Sequence, residues 1–278
     1  NQIGRMSLGD IDFSPDYEHL FAVNLANRSL IRIPVGNPIA VPTPGDITEY
    51  DLSPFYTDAR SGTADWIPFA LGKREDNGKM YLGATANAET TQNTDQLDAL
   101  VYEFDPTDPT GTMTLVARFD LDYSREDSRM RSCVISDPGS PDNGTSFFCG
   151  ATWNPWTESY DNSSPRNPVQ PGGASVMKYY VRSNGSKHEI IHPMPMFSDI
   201  EFTGDGKMII GIRDRTADMF GDGVGSQEDF NSTLVYEAVS AGDVLIAAPS
   251  GGTYVFENNG LVGGINNGHA PNGNEGPG

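Results

Sequence analysis

Apolar and polar positions alternate in short runs along most of this chain, and the clearest run returns. Residues 8–35, LGDIDFSPDYEHLFAVNLANRSLIRIPV, predict a strand over 10–13, a polar turn at 14–16, a strand over 19–24, a second turn at 26–28 and a strand over 29–34. Residues 197–215, FSDIEFTGDGKMIIGIRDR, repeat the first hairpin: DIEF alternates as DIDF does, GDG turns, and 208–212 return. A hairpin that recurs at a distance is the signature of a repeat architecture.

Between the two copies the same period-two signal continues. A second unit has strands at 65–71, 80–84, 99–104 and 114–119, with EDNGK at 75–79 as the strongest hairpin turn in the chain. A third unit has strands at 132–136, 147–151, 175–181 and 189–192, broken by a long polar loop at 152–173. A fourth has strands at 199–202, 207–212, 243–248 and 253–258, with a polar excursion at 214–233 between its second and third strands. Residues 36–60 carry too many prolines for a helix and read as a connection with a polar excursion. Residues 260–278, rich in Gly and Asn, read as an irregular tail. The expected fold is all-β: a β-propeller of four-stranded antiparallel blades over residues 1–259, with blades at 8–60, 64–120, 131–193 and 197–259. Four blades make a compact ring or part of a larger one, and a β-sandwich would not explain the returning hairpin.

Composition fits this pattern and narrows the partners. With 31 Gly and 20 Pro in 278 residues, much of the chain is turn. Mean hydropathy is −0.43 and no apolar run is long enough for a membrane-spanning helix, so membrane insertion is not expected. The net charge of −20 repels phosphate backbones and anionic lipid, which argues against nucleic acid as a partner. Few lysines and many acids suit a saline or calcium-containing exterior, and solubility alone is the plainer account. The chain opens mid-pattern without a basic-then-apolar leader, and the expectation is a segment of something longer.

Two cysteines flank DPGSPDNG. If that stretch turns a hairpin, Cys133 and Cys149 stand equally far from its centre and oppose each other, with Cβ atoms about 4.5–5.5 Å apart, near disulfide range. A disulfide there implies an oxidising compartment; two buried free thiols are the other reading. Five N-x-S/T sequons, at Asn27, Asn143, Asn162, Asn184 and Asn231, all fall in expected turns or loops and are glycosylation candidates in a secreted eukaryotic protein.

GDIDFSPDYEHLFAVNLANRSLIRIPV resembles the GDI-x-SPDG-x-LYVVNL-x-R-x-L-x-RI blade of large secreted surface proteins. SDIEFTGDGKMIIGIRDR is similar to their DIEFD-x-DGSM-x-LGF-x-DR blade, and GDVLIAAPSGGTYVFENNG to the GDIL stretch that follows it. These are propellers that precede Cna-B-type (SdrD B-like) modules in bacterial surface proteins, with algal extracellular relatives. The resemblance runs from about residue 8 to 264 in the family's order. It implies a propeller fold and an extracellular or cell-surface setting, and it implies no activity. Tyr17-Glu18 stands where the family has its turn glycine.

Candidate chemistry is sparse. No G-x-S-x-G, P-loop, HExxH or CxxC spacing occurs, and His188 and His192 fall in a strand and its flank instead of on a helix face. By period two, Asp10 and Asp12, and Asp199 and Glu201, share a sheet face on the first strand of their units. First strands line a propeller's channel, so these acids are candidate cation ligands there; capping of turn amides is the plainer reading. Asp214, Asp218 and Asp222, with Glu228 and Asp229, form an acidic, Gly-rich stretch that is a candidate Ca2+ loop, without EF-hand spacing, against a merely solvated loop. Arg213 and Arg215 flank Asp214, where an ion pair locking two blades is the duller account. Trp153, Trp156 and Tyr160 form an aromatic group in the long loop that could bind a partner or cap the core.

These observations lead to a non-enzymatic structural or adhesive module outside the cell. Its expected partners are other extracellular proteins or glycans, self-assembly included. The alternative is a calcium-dependent propeller hydrolase or lactonase, with channel acids holding the metal that activates water.

Overall fold

The computed structural model describes residues 2–36, 38–123, 132–134, 146–148, 152–158, 160–161, 177–181, 188–190, 192–220, 222–225, 235–238, 242–257, 261–262 and 265–266. The chain is mostly β, and three four-stranded antiparallel sheets dominate it.

Sheet I contains β1 (Leu8–Phe13), β2 (His19–Asn24), β3 (Ser29–Pro34) and β4 (Thr48–Asp51), paired in that order. Its first turn is closed by Ser14, whose amide and hydroxyl both reach the His19 carbonyl. Tyr17 there has φ 61°, a left-handed conformation costly for a bulky side chain. Gly206 takes the corresponding place in the repeated hairpin with φ 81°. The Tyr17 hydroxyl donates to Glu75 of the neighbouring sheet at 2.5 Å, a contact that glycine could not make.

Sheet II contains β5 (Trp66–Arg74), β6 (Lys79–Ala86) and β7 (Asp98–Phe104), then a short helix α1 (Pro109–Thr112) and β8 (Thr114–Asp120), again in sequential order. Its strands β5 to β7 are almost wholly buried, because it lies between the other two sheets. Next come β9 (Ser132–Val134), β10 (Ser146–Phe148), β11 (Tyr160–Asp161), β12 (Met177–Val181) and β13 (His188–Ile190). Sheet III begins with β14 (Pro195–Phe202) and β15 (Met208–Asp214). After helix α2 (Arg215–Phe220), β16 (Asp222–Gly225) and β17 (Val235–Ala238), it resumes with β18 (Asp243–Ser250) and β19 (Thr253–Phe256). A last small pair is β20 (Leu261–Val262) and β21 (Ile265–Asn266).

The expected third blade is the part that differs. Among the described residues its strands form no four-stranded sheet: β9 pairs with β10, and β12 and β13 join a five-stranded sheet through parallel pairing of β13 with β17. The excursion at 214–233, expected as a loop, holds helix α2 and strand β16, and β16 joins that sheet beside β17, which follows the excursion. Nor does the third region separate its neighbours, because sheet II packs directly on sheet III. One core holds Tyr81, Ala99, Val101 and Phe119 of sheet II against Ile200, Met208, Ile210, Leu245 and Phe256 of sheet III. A second core holds Phe21, Val23 and Leu30 of sheet I against Leu71, Met80, Leu82, Leu100 and Tyr102 of sheet II. Each large side chain fully buried in these layers contributes about 1.5–3 kcal/mol.

Candidate functional site: an acidic seam between the first strands

The three sheets meet along their first strands. A Cβ on Gly72 of β5 would lie 2.4 Å from the carbonyl oxygen of Ile200 in β14, and one on Gly9 of β1 would lie 2.9 Å from that of Phe69 in β5. Backbones this close tolerate only glycine. The approach brings together the four carboxylates that alternation placed on one face: Asp10, Asp12, Asp199 and Glu201 lie within electrostatic reach of one another.

Each has a distinct environment. The Asp10 carboxylate accepts the Leu71 amide of sheet II at 2.9 Å and the Ile11 amide at 2.8 Å. Burial pushes its pKa above the ordinary carboxylate value, those two amides oppose the rise, and Asp199 and Asp12 add repulsion. Burial also raises Asp199 and Glu201, helped by the neighbouring acids. Asp12 accepts the Phe13 amide at 2.7 Å and lies 3.5 Å from Nζ of Lys73, which also sits 4.5 Å from the Tyr17 ring centroid.

Sequence reasoning missed Lys73. Its signal was present: Lys73 pairs with Met80 as Phe13 pairs with Leu20 and Phe202 with Met208, so a cation replaces an aromatic at the repeated position. Burial and mutual repulsion at the seam favour the protonated forms of Asp10, Asp199 and Glu201. Among the described residues no three His, Cys, Asp or Glu side chains are placed to hold a metal ion.

The other candidates scatter. Buried Asp214 accepts the backbone amides of Met194 at 3.1 Å and Thr216 at 2.9 Å, which ties the start of α2 to the strand leading into sheet III. Asp218 accepts from Arg213 at 2.7 Å, so the expected Arg–Asp pair forms with a different acid. Asp222 lies in β16, and Glu228 and Asp229 lie outside the described residues. His188 lies in β13, and His192 is fully buried, its carbonyl accepting the Thr216 hydroxyl.

The expected aromatic docking loop is corrected by burial. Trp153 is 1% and Trp156 0% exposed, so neither offers a ring to a partner. Trp156 donates its indole N–H to the Pro195 carbonyl at 2.7 Å and lies 4.4 Å from the fully buried Arg215 guanidinium. Arg215 in turn donates to the Ile3 carbonyl at 2.8 Å and to Glu158 at 2.6 Å, while Arg5 pairs with Glu89. Trp156 and Arg215 clamp the segment before β1 onto the body of the molecule. Tyr160 falls in β11.

The β9–β10 register sets Phe147 opposite Cys133, two positions from the opposition expected for Cys149, which lies outside the described residues. Asn27 is exposed in the β2–β3 turn, its amide donating to Glu49 at 3.0 Å. Asn143, Asn162, Asn184 and Asn231 lie outside the described residues.

No family model matches the sequence. The chain is similar to two colossins. It is 27% identical to colossin-A of Dictyostelium discoideum over 277 residues, which cover 99% of this chain and 2% of that protein. It is 22% identical to colossin-D of the same organism over 268 residues, which cover 96% of this chain and 20% of that protein. The chain therefore spans a small part of the curated relatives it matches.

Proposed function

We propose that this chain is a structural or adhesive β-propeller module of an extracellular surface, matrix or filament protein, of the type that precedes Cna-B-like modules. The observation that carries the reading is the stack itself: one four-stranded meander occurs three times and packs face to face with its first strands innermost. Similarity along nearly the whole chain to a small part of two much longer proteins supports a modular role. The rigid apolar layers suit a spacer or platform, and the exposed sequon at Asn27 suits passage through a secretory route. Its partners would be other extracellular proteins or glycans.

The competing hydrolase draws on the raised carboxyls of Asp10, Asp199 and Glu201, and one comparison separates the two. Chain secreted from eukaryotic cells should lose mass on N-glycan removal, and that loss should shrink in Asn27→Gln. The same material should leave a panel of lactones and phosphoesters untouched at any calcium concentration. Calcium-dependent turnover abolished by Asp199→Asn would sink the structural reading.

A further inference from the structure

The three sheets follow one stacking rule. The hairpins align by register: Ile11 pairs with Ala22, Leu71 with Leu82 and Ile200 with Ile210, while Phe13, Lys73 and Phe202 pair with Leu20, Met80 and Met208. These positions define the front face of each sheet, and the alternate positions, Phe21, Tyr81 and Ile209, define the back. In the core between sheets I and II, the back of sheet I (Phe21, Val23, Leu30) lies on the front of sheet II (Leu71, Met80, Leu82). In the core between sheets II and III, the back of sheet II (Tyr81, Val101) lies on the front of sheet III (Ile200, Met208, Ile210). Every joint is back on front.

Two faces are left over, and they are the two halves of that same joint. The front of sheet I presents Ile11, Phe13, Leu20, Ile31 and Ile33, with Ile11 48% and Phe13 39% exposed. The back of sheet III presents Ile209, Val244, Ile246 and Val255, with Val244 66% and Val255 53% exposed. Apolar sheet faces of this kind are interaction sites or aggregation liabilities. Across the first joint, Asp10 accepts the amide of Leu71. Its counterpart in sheet III, Asp199, reaches only the amide of Ile200 on its own strand, and among the described residues no other sheet donates to it.

We propose that a second copy of this chain occupies these faces head to tail, with the back of sheet III of one molecule on the front of sheet I of the next. The established joints argue for this occupant because a copy brings the missing half of the same interface at each end. The contact is heterologous, so copies form a ring or an open chain according to the angle of each step. Asp199 of one copy then comes beside Ile11 of the next, as Asp10 comes beside Leu71 within the molecule, while the Ile11 amide itself stays bonded to Asp10. Self-repulsion from a net charge of −20 opposes this association, so salt strengthens it. The proposal rests on the stacking rule and is independent of where the module works.

Sedimentation velocity on the whole chain, through the micromolar range and from about 0.02 to about 0.5 M NaCl, tests it. The expected result is a concentration-dependent oligomer that grows with salt. Ile11→Glu spoils only the front of sheet I, and Val244→Glu only the back of sheet III; each should weaken association about 30-fold or more. Each variant keeps the face that the other has lost, so an equimolar mixture should regain a dimer. Ile33→Glu and Val255→Glu form a second pair should either first variant fold poorly by circular dichroism. A monomer under all conditions overturns the proposal. So does an oligomer sensitive to only one of the two substitutions, or one that mixing does not restore.

Discussion

The two ends of the sheets use the same residue types in opposite ways. At the end where β1, β5 and β14 begin, polar groups are buried: Asp65, Asn87, Asp98, Asp214, Arg215 and Thr216 are all nearly inaccessible. At the other end the hairpin turns put Asp16, Asp76, Asp105 and Asp205 into solvent, each bonded to hydroxyls, amides or cations close by in sequence or across one turn. A carboxylate in a surface turn organises a few residues and costs little to hydrate. A buried one must satisfy its partners completely, so it fixes segments far apart in sequence, as Asp214 does for Met194 and as Asp98 does for Arg60. The difference teaches that tertiary order is set at the buried end, whereas the turn end sets hairpin register.

Breaking the buried end should cost most. Arg215→Met removes the donor to Ile3 and Glu158 and leaves that acid, 38% exposed, without its buried partner; unfolding in urea should show a loss of about 3 kcal/mol. The segment before β1 should then become sensitive to protease. Asp214→Ala strips two backbone amides of their acceptor, and the same titration should show about 2–3 kcal/mol.

The acidic seam lies between these extremes and reverses the sign. Asp199 is held above its unfolded pKa, so protonation favours the folded state: the folded chain is most favoured below the unfolded value, and that advantage is lost as pH rises through the folded one. Asp199→Asn should therefore raise Tm at pH 7, with the gain vanishing as pH falls toward about 4; a gain that grows on acidification would refute the repulsion. At the turn end, Asp205 is held down to about 2 by Lys207 and Thr203, so its contribution is present at neutral pH and lost only as pH falls through that value. Because the site is solvated, Asp205→Asn should lower Tm by less than about 2 °C at pH 7, the smallest of the four effects.

How much of this was legible depended on how local each interaction is. Strands β2 and β3 and the four strands of sheet III followed from period-two alternation and strong turns, because hairpin pairing is decided by neighbours in sequence. The edge strand β4 reads in sequence as a polar excursion: TEYD is short and half charged, and only Tyr50 hints at a buried side. The carboxylates of the seam were legible as a face, since alternation alone puts Asp10 with Asp12 and Asp199 with Glu201. Lys73 and the clamp made by Arg215 and Trp156 were not, because each needs partners from another sheet.

The sequence by itself determined the hairpins, their registers and the apolar side of each sheet, all consequences of a two-residue period and of turns a few residues long. Only the tertiary structure decided which sheets touch. Sheet II meets sheet III across more than seventy intervening residues, and β13 pairs with a strand inserted inside sheet III. Any apolar face can in principle bury any other. The choice among them rests on close backbone approach at Gly72 and on buried polar ties such as Asp214, both of which exist only once distant segments have met.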